Sequence, residues 1–325
     1  MRVGLLGAGN ISRTMAKTIA AMEGVRNYAV ASRDLEKARS FAAECGIEKA
    51  YGSYEEMLAD DNVDLVYVAT PHSHHHQWTI AALNAGRNVL CEKAFAANAR
   101  QAEEMIALAE QKKLLLTEAI WTRYMPSRAM IREIIDGGEI GEVKMVTSNL
   151  GYLISGVERM IRPELAGGCL LDLTVYPLNF TSMILGDGYS RITARMIPTP
   201  TGVDGQDSVT LEYPGGEMAV MMSTMYAQTD RRGLIYGTKG MLEVTNINNP
   251  SVLSVFEYSA SGLRLKKELT PPKMISCYEY EAEACKRAIE TGTVECPEMP
   301  HAETLEIMRQ MDEIRRQFGI VFPFE

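Results

Sequence analysis

The feature that most constrains this chain is its opening stretch, VGLLGAGNIS over residues 3–12. A short apolar run leads straight into Gly7, Ala8 and Gly9, and a helical pattern follows over 11–22. Strand, tight turn and helix in that order make a phosphate cradle. Gly7 permits the sharp turn, Gly9 lets a pyrophosphate approach without meeting a Cβ, and the helix start at Asn10 and Ile11 offers free N–H groups and the positive end of its dipole. The third glycine position holds Ser12, a small substitute. A glycine-rich turn can equally be a plain strand-to-helix connection. Its place directly after a first strand, with a second strand one βαβ unit later, favours a dinucleotide.

That second strand, over 27–32, ends at Ser32, Arg33 and Asp34. In an NAD-binding unit an acidic residue about twenty positions after the third glycine holds the ribose hydroxyls. Ser32 stands there instead, followed by a guanidinium that can bond a 2′-phosphate. NADP is the expected cofactor, with NAD as the alternative if Arg33 is a solvated loop charge and Asp34 does the acidic residue's work.

The pattern continues as an α/β chain. Leu35, Ala38, Phe41 and Ala42 share one face of a helix over 35–45, and Gly46 stops it. Ser53 and Glu56 form a capping-box start for a helix over 53–58. The nearly all-apolar run over 65–69 reads as a strand buried on both faces, ending in Thr70 and Pro71 at the edge where parallel sheets bind ligands. His72, His74, His75 and His76 follow. Their side chains splay, and no Cys or carboxylate stands nearby to complete a tetrahedral set, so they read as polar residues lining the cofactor edge and no metal is expected. A helix over 77–85 ends at Gly86, and a strand over 88–91 delivers Glu92 and Lys93 to the same edge. An ammonium there can stabilise charge on a substrate oxygen; the bland reading is a solvated ion pair.

With 325 residues the chain is expected to form two domains. A formal charge of -9 repels phosphate backbones and anionic lipid, which argues against nucleic-acid and membrane partners and for a small-molecule ligand. Six cysteines without CxxC pairing read as reduced thiols, and no leader or membrane-length apolar run is evident, so the expected location is cytoplasmic.

A helix over 99–112 and a strand over 114–116 close the first domain, and Trp121, Thr122, Arg123, Tyr124 and Pro126 mark the crossing. Trp121 and Arg123 read either as junction packing or as a substrate wall. After a helix over 127–135, strands are expected over 143–150, 192–197, 208–213, 217–225, 234–236, 241–244 and 252–258, in a largely antiparallel sheet. Two helices follow, over 278–290 and 301–318. Gly167 and Gly168 precede an apolar helix over 170–185 in which Asp172 and Tyr176, four apart, share a face. They read either as groups looking into one pocket or as a helix cap and a core aromatic.

The segments GAGNIS, ATPHSHHH, NVLCEK, EAIWTRYMP, GGCLLDLTVYPLNF and MPHAETLEIMRQMDEIRRQFGI together resemble the Gfo/Idh/MocA oxidoreductases, in particular their dihydrodiol dehydrogenase and NADP-dependent xylose dehydrogenase-like branch. The resemblance covers nearly the whole chain. It matches Thr70, Pro71 and His75 to the family's TPxxxH motif, Glu92 and Lys93 to the start of its EKP motif, and Asp172 and Tyr176 to an acidic residue and the catalytic tyrosine. Two positions depart. Ala94 replaces the proline after the lysine, relaxing the backbone there, and Thr174 stands where glycine is usual.

The resemblance implies an N-terminal Rossmann domain over 1–120, a doubly wound parallel sheet, and an α+β domain over 121–325, with the active site in the cleft between them. It also implies reversible hydride transfer between NADP and a carbinol carbon of a sugar or cyclic diol, with Lys93, Asp172 and Tyr176 catalytic. Cofactor contacts are expected from Gly7, Gly9, Asn10, Ile11, Ser32, Arg33, Thr70, Pro71, His72, His75, Glu92 and Lys93. Substrate contacts are expected from Trp121, Arg123, Asp172 and Tyr176. Rival readings are a glycosidase using tightly held NAD and an NADP-sensing regulator. Met218, Met221, Met222 and Met225 put apolar groups on both faces of the strand over 217–225. A homodimer or higher homo-oligomer through that sheet is therefore expected, as is usual for the family.

Overall fold

Short, β-rich apolar runs alternating with amphipathic helices fold as parallel βαβ units, and the computed structural model, which describes residues 1–325, begins with five of them. They comprise β1 (Arg2–Leu6), α1 (Asn10–Ala20), β2 (Arg26–Ala31), α2 (Leu35–Cys45), β3 (Lys49–Tyr51), α3 (Tyr54–Leu58), β4 (Leu65–Val68), α4 (His72–Asn84), β5 (Asn88–Glu92), α5 (Ala99–Lys112) and β6 (Leu116–Ala119). All neighbouring strands pair in parallel in the order β3-β2-β1-β4-β5-β6. Every residue of β4 is buried, as a sheet covered on both faces requires. The order reverses between β1 and β4, so the ligand crevice lies beyond their carboxyl ends.

Three details depart from the sequence expectations. The helix expected over 77–85 begins five residues earlier, at His72. His72 and His75, three apart, turn to its buried side while His74 and His76 stay half-buried, so polar side chains had hidden the periodicity. The strand expected over 114–116 is centred on LTEA, where buried Thr117 and Glu118 break the apolar run. The three half-buried residues of β3 carry too little pattern to announce an edge strand.

The following unit starts with α6 (Pro126–Asp136) and β7 (Val143–Gly151). Short 3-10 turns at Glu158–Ile161 and Pro163–Leu165 lead to a π-turn, Leu170–Thr174, which runs into α7 (Val175–Leu185). Then come β8 (Arg191–Pro198), β9 (Asp204–Glu212), β10 (Met218–Thr224), β11 (Gly233–Gly237), β12 (Gly240–Val244), β13 (Leu253–Ser259) and β14 (Gly262–Leu269). Their order is β14-β13-β12-β11-β7-β10-β9-β8, antiparallel throughout except between β7 and β10. The last strand, GLRLKKEL, is an exposed, charged edge, which blunts edge-to-edge pairing and also masks its strand character in the sequence.

In β10 the burial alternates strictly. Ala219 and Met221 face inward, toward α7 and the π-turn, while Met218, Val220 and Met222 face out and are exposed, as is Met145 of β7. The stretch Pro163–Leu185 is, against expectation, long and apolar enough to match a membrane span. It is a core element: 78% of its apolar window is buried.

Contacts divide the chain into Met1–Tyr124 with Met274–Met308, and Met125–Lys273 with Arg309–Glu325. Chain order alone had assigned everything after 120 to the second domain. The returning segment, with α8 (Glu279–Thr291) and the start of α9 (His301–Phe318), is tied to the first unit by specific bonds. Leu116 N donates to Val294 O at 3.0 Å, the His301 ring meets Leu116 O at 2.8 Å, and the Thr18 and Ser276 hydroxyls lie 2.6 Å apart.

Candidate active site

Helix starts in the first unit show where a ligand is wanted. Asp34, Ser53 and Asn98 cap α2, α3 and α5 with their side chains. At the start of α1 the capping residue is Gly9, no side chain bonds the first turn, and no acidic residue stands in it. The N–H groups at Asn10, Ile11 and Ser12 therefore lack the capping partner that α2, α3 and α5 have, as do those at the start of α4 at the same sheet edge. Gly7 has φ +114°, and a Cβ on it would stand 2.8 Å from Ala69 O, so the turn requires glycine. A Cβ on Gly9 would meet nothing within 4 Å. The space above Gly9 is thus free for an anion, and this arrangement fits the pyrophosphate of a dinucleotide.

At the end of β2, Ser32 is buried and its hydroxyl accepts from Asp34 N at 3.3 Å. Asp34 Oδ1 accepts from Glu36 N and Lys37 N at 2.9 and 3.2 Å. Its carboxylate is engaged in capping α2, which disfavours it as a ribose clamp. Arg33 is exposed beside them, and after burial its charge is the next cause holding His74 below the ordinary histidine value.

The carboxyl ends of β4 and β5 are joined through His75, which is wholly buried. Its Nε2 meets Thr70 O and its Nδ1 meets Ala94 O, both at 2.8 Å. Burial pushes its pKa down to about 4 against the lift from those carbonyls, so near neutrality the ring is uncharged and its single N–H donates to one of the two carbonyls while the other nitrogen only packs against its neighbour. Thr70 Oγ1 is buried without a protein partner, a further polar group consistent with a cofactor edge. His72 is buried against the His75 ring, edge to face at 5.7 Å, and His76 reaches Glu104 at 2.8 Å.

The backbone after Lys93 is not loose, despite Ala94. Ala94 O is tied to His75, and Phe95 N donates to Glu118 Oε1 at 3.2 Å. Bonds from two other elements replace the proline ring as the restraint. Glu92 is buried, accepts from the Tyr67 hydroxyl, and takes Lys93 N at 3.2 Å; Lys93 is half-buried.

Arg123 was expected at a substrate wall, but it is 1% exposed and its guanidinium pairs with Glu303. It serves as a countercharge in the interior, next to Glu118, whose pKa burial pushes up to about 8. Trp121 stacks on Tyr278 at 5.1 Å between ring centres and is also buried. Sequence reasoning missed Tyr67, Glu118 and Glu281, which gather around these positions. Glu281 is wholly buried with no hydrogen-bond partner for either oxygen, and burial, then Glu92, raise it far above the ordinary carboxylate range. Lone polar residues inside apolar patterns give no warning of such a cluster.

In the second unit, Asp172 lies on the π-turn and Tyr176 in the first turn of α7, at 5% and 8% exposure. Arg159 grips Asp172 with two parallel bonds, Nη1 to Oδ1 at 2.8 Å and Nη2 to Oδ2 at 3.3 Å. That fork fixes the orientation of the carboxylate. Arg159 sits in an irregular segment and carried no sequence signal. Thr174 is wholly buried, and its hydroxyl is spent on Asp207 at 2.7 Å. No group of three or more His, Cys, Asp or Glu gathers as a metal set.

Comparison with known proteins agrees with this geometry. Residues 1–120 match the model of an oxidoreductase family with an NAD-binding Rossmann fold, and residues 129–243 match the Gfo/Idh/MocA C-terminal domain. A trans-1,2-dihydrobenzene-1,2-diol dehydrogenase of Danio rerio is 35% identical, covering 99% of this chain and 98% of its own. A D-xylose 1-dehydrogenase (NADP+) of Hypocrea jecorina is 34% identical over 99% of this chain and 93% of its own. Among solved structures, a 3-ketoreductase from Actinomadura kijaniata, in complex with TDP-benzene and NADP in an open conformation, superposes with a TM-score of 0.85. It is 25% identical and covers 97% of this chain and 96% of its own.

Proposed function

This chain belongs to the Gfo/Idh/MocA family of oxidoreductases, and from that premise we propose that it is an NADP-dependent dehydrogenase acting on a CH–OH group of a sugar or cyclic diol. The full-length similarity to diol and xylose dehydrogenases supports the substrate class. Bound at the start of α1, NADP supplies an acceptor for hydride from the carbinol carbon, and NADPH a donor for the reverse. Gly9 and the first-turn N–H groups would hold its pyrophosphate, and Ser32 with Arg33 its 2′-phosphate.

The observation that carries the mechanism is the Arg159 fork on Asp172. A carboxylate whose two oxygens are both engaged in that way is suited to orienting a substrate hydroxyl. Proton exchange with the substrate hydroxyl then falls to Tyr176, four residues on. A free tyrosine, with a pKa of about 10, is a poor base at neutral pH. Positive charge favours the phenolate, and the role is assigned to Lys93 on its match to the family's EKP motif.

A screen of aldoses, inositols and cyclic diols, read by NADPH absorbance, tests the reading. Stoichiometric NADPH formation with one class supports it. Product release without net change in NADPH would favour the glycosidase.

Two finer points belong to the same proposal. The exposed Met145, Met218, Val220 and Met222 form an apolar face suited to a second copy of the chain. A dimer mass by light scattering at micromolar concentration is expected, and a monomer mass contradicts it. Six free thiols, five of them buried, suit a cytoplasmic setting.

A further inference from the structure

One strand restrains the π-turn that carries Asp172 at both of its ends. At the start, Asp204 Oδ2 accepts from Leu170 N. Gly168, at φ +120°, is admitted there only because it lacks a side chain: its Cβ would stand 2.1 Å from Asp204 Oδ1. At the other end, Thr174 donates its hydroxyl to Asp207 Oδ2 at 2.7 Å. Between them the Cys169 thiol leans on Gly205 O at 3.0 Å.

Residues three apart on a regular strand point to opposite faces, yet Asp204 and Asp207 are both buried, at 2% and 4% exposure. A β-bulge explains it. The register with β8 runs Ile197 to Gln206 and then Pro198 to Asp204, leaving Gly205 as the extra residue. The bulge turns both carboxyls inward, where each is among the causes of the other's pKa shift. A side chain on Gly205 would meet the Tyr226 hydroxyl at 2.5 Å, so the bulge position is itself restricted to glycine.

The charged and titratable groups facing this pair from the π-turn are the Cys169 thiol and Asp172, and Asp172 is already matched by Arg159. From β8, Arg195 lines one cavity with Asp207, but neither carboxyl is ion-paired, and Asp207 Oδ1 meets no N–H or O–H donor. Two buried carboxylates side by side cannot both stay ionised. One proton between them satisfies both the charge and the remaining oxygen.

We propose that Asp204 and Asp207 are positioning residues for the reaction, a carboxyl pair joined by one shared proton that clamps both ends of the π-turn presenting Asp172 and Tyr176. The proposal rests on the role given to Tyr176 above. Neither acid touches substrate; they set the aim of the groups that do. Burial raises both, Asp204 to about 6 and Asp207 well above the carboxylate range, so the pair keeps its proton near neutrality. Thr174, unusual at its position, gains a purpose: its hydroxyl is the link between the pair and the end of the turn.

Carboxyl-stretch infrared difference spectra of the full-length protein at neutral pH test the shared proton without any substrate. Wild type minus Asp207→Asn should show the band of a protonated carboxyl. In kinetics, Thr174→Val and Asp207→Ala should each lower kcat about tenfold by misplacing the turn, with NADPH affinity unchanged. Asp207→Asn should recover most of that loss, because its amide can donate to Asp204 while its carbonyl accepts from Thr174. If Asp207→Ala does not fold, Thr174→Val removes a single hydroxyl and carries the kinetic test. Absence of the band, or normal kcat in Thr174→Val, overturns the pair. Failure of the underlying reading is seen separately, as near-normal kcat in Tyr176→Phe.

Discussion

The start of α1 and the π-turn ahead of α7 are both places where a helix begins, and the protein treats them in opposite ways. At α1 the first-turn N–H groups have no capping side chain, and a Cβ on Gly9 would meet only free space. At the π-turn the first N–H is taken by a buried Asp204, the last hydroxyl by a buried Asp207, and the one acid on the turn by Arg159. The first site is built from backbone and left for a negatively charged ligand. The second is satisfied internally, so that its side chains, rather than its backbone, can be presented to a substrate. Binding and chemistry are thus supported by different materials, and substitutions in the two places should separate affinity from turnover.

The largest separation is expected from Gly9→Asp. The new carboxylate would cap α1 as Asp34 caps α2, adding about 0.5 kcal/mol to the stability of the unliganded protein. It would also occupy the N–H groups a pyrophosphate needs and repel its charge, lowering NADPH affinity on the order of 10²-fold or more. Thermal melts and fluorescence titration on the same variant read both effects. A variant that binds NADPH normally breaks the comparison at its first term. Gly7 offers no such trade, because its φ and the nearby Ala69 carbonyl make glycine a requirement of the fold itself.

Much of this contrast was legible in the sequence, for physical reasons that differ by region. The cradle depends on glycines at fixed offsets from an apolar run, and the parallel sheet on runs such as LVYV that no other setting tolerates, so pattern alone located them. Lys93 drew notice by its place at a strand end, whereas Asp172 and Tyr176 shared a helix face with two readings open, and only the family resemblance singled them out as catalytic. What the sequence withheld depends on side chains meeting across long separations. Arg159 reaches Asp172 from an irregular segment, and Asp204 reaches Leu170 from a bulge 34 residues away. Arg123 read as junction packing or a substrate wall, while its actual partner, Glu303, arrives from a segment that returns to the first unit late in the chain.

A smaller effect sharpens the account of the ribose end. Arg33→Ala should weaken NADPH binding by about tenfold and leave NADH nearly unchanged, since only the former carries a 2′-phosphate for the guanidinium. Equal losses for both cofactors would move the recognition elsewhere, and tighter binding of NADH by the wild type would reverse the assignment.

The smallest effect on activity, though not on stability, is expected at Glu118, a buried acid placed in the first unit yet outside the cradle. Its pKa is raised from 4.5 to about 8, so the folded state binds the extra proton between those values. Stability should therefore fall as pH rises through that window, by an amount on the order of a few kcal/mol if Glu118 acted alone. Glu118→Gln keeps an oxygen for Phe95 N and removes the titration. Urea midpoints at pH 5 and pH 8.5 should differ less in the variant than in the wild type. An identical pH dependence in the two proteins would show that Glu118 stays ionised beside Arg123.

The central claim, that turnover rests on the proton-handling side chains and affinity for the cofactor on the backbone cradle, is tested most directly by Tyr176→Phe with the best substrate from the screen. The account predicts a fall in kcat on the order of 10²-fold or more, with the NADPH dissociation constant little changed. Lys93→Met should also lose kcat, and the double variant should lose less than the product of the two, because both groups serve one proton transfer. Near-normal kcat in Tyr176→Phe, or a loss explained wholly by weaker NADPH binding, would contradict the account.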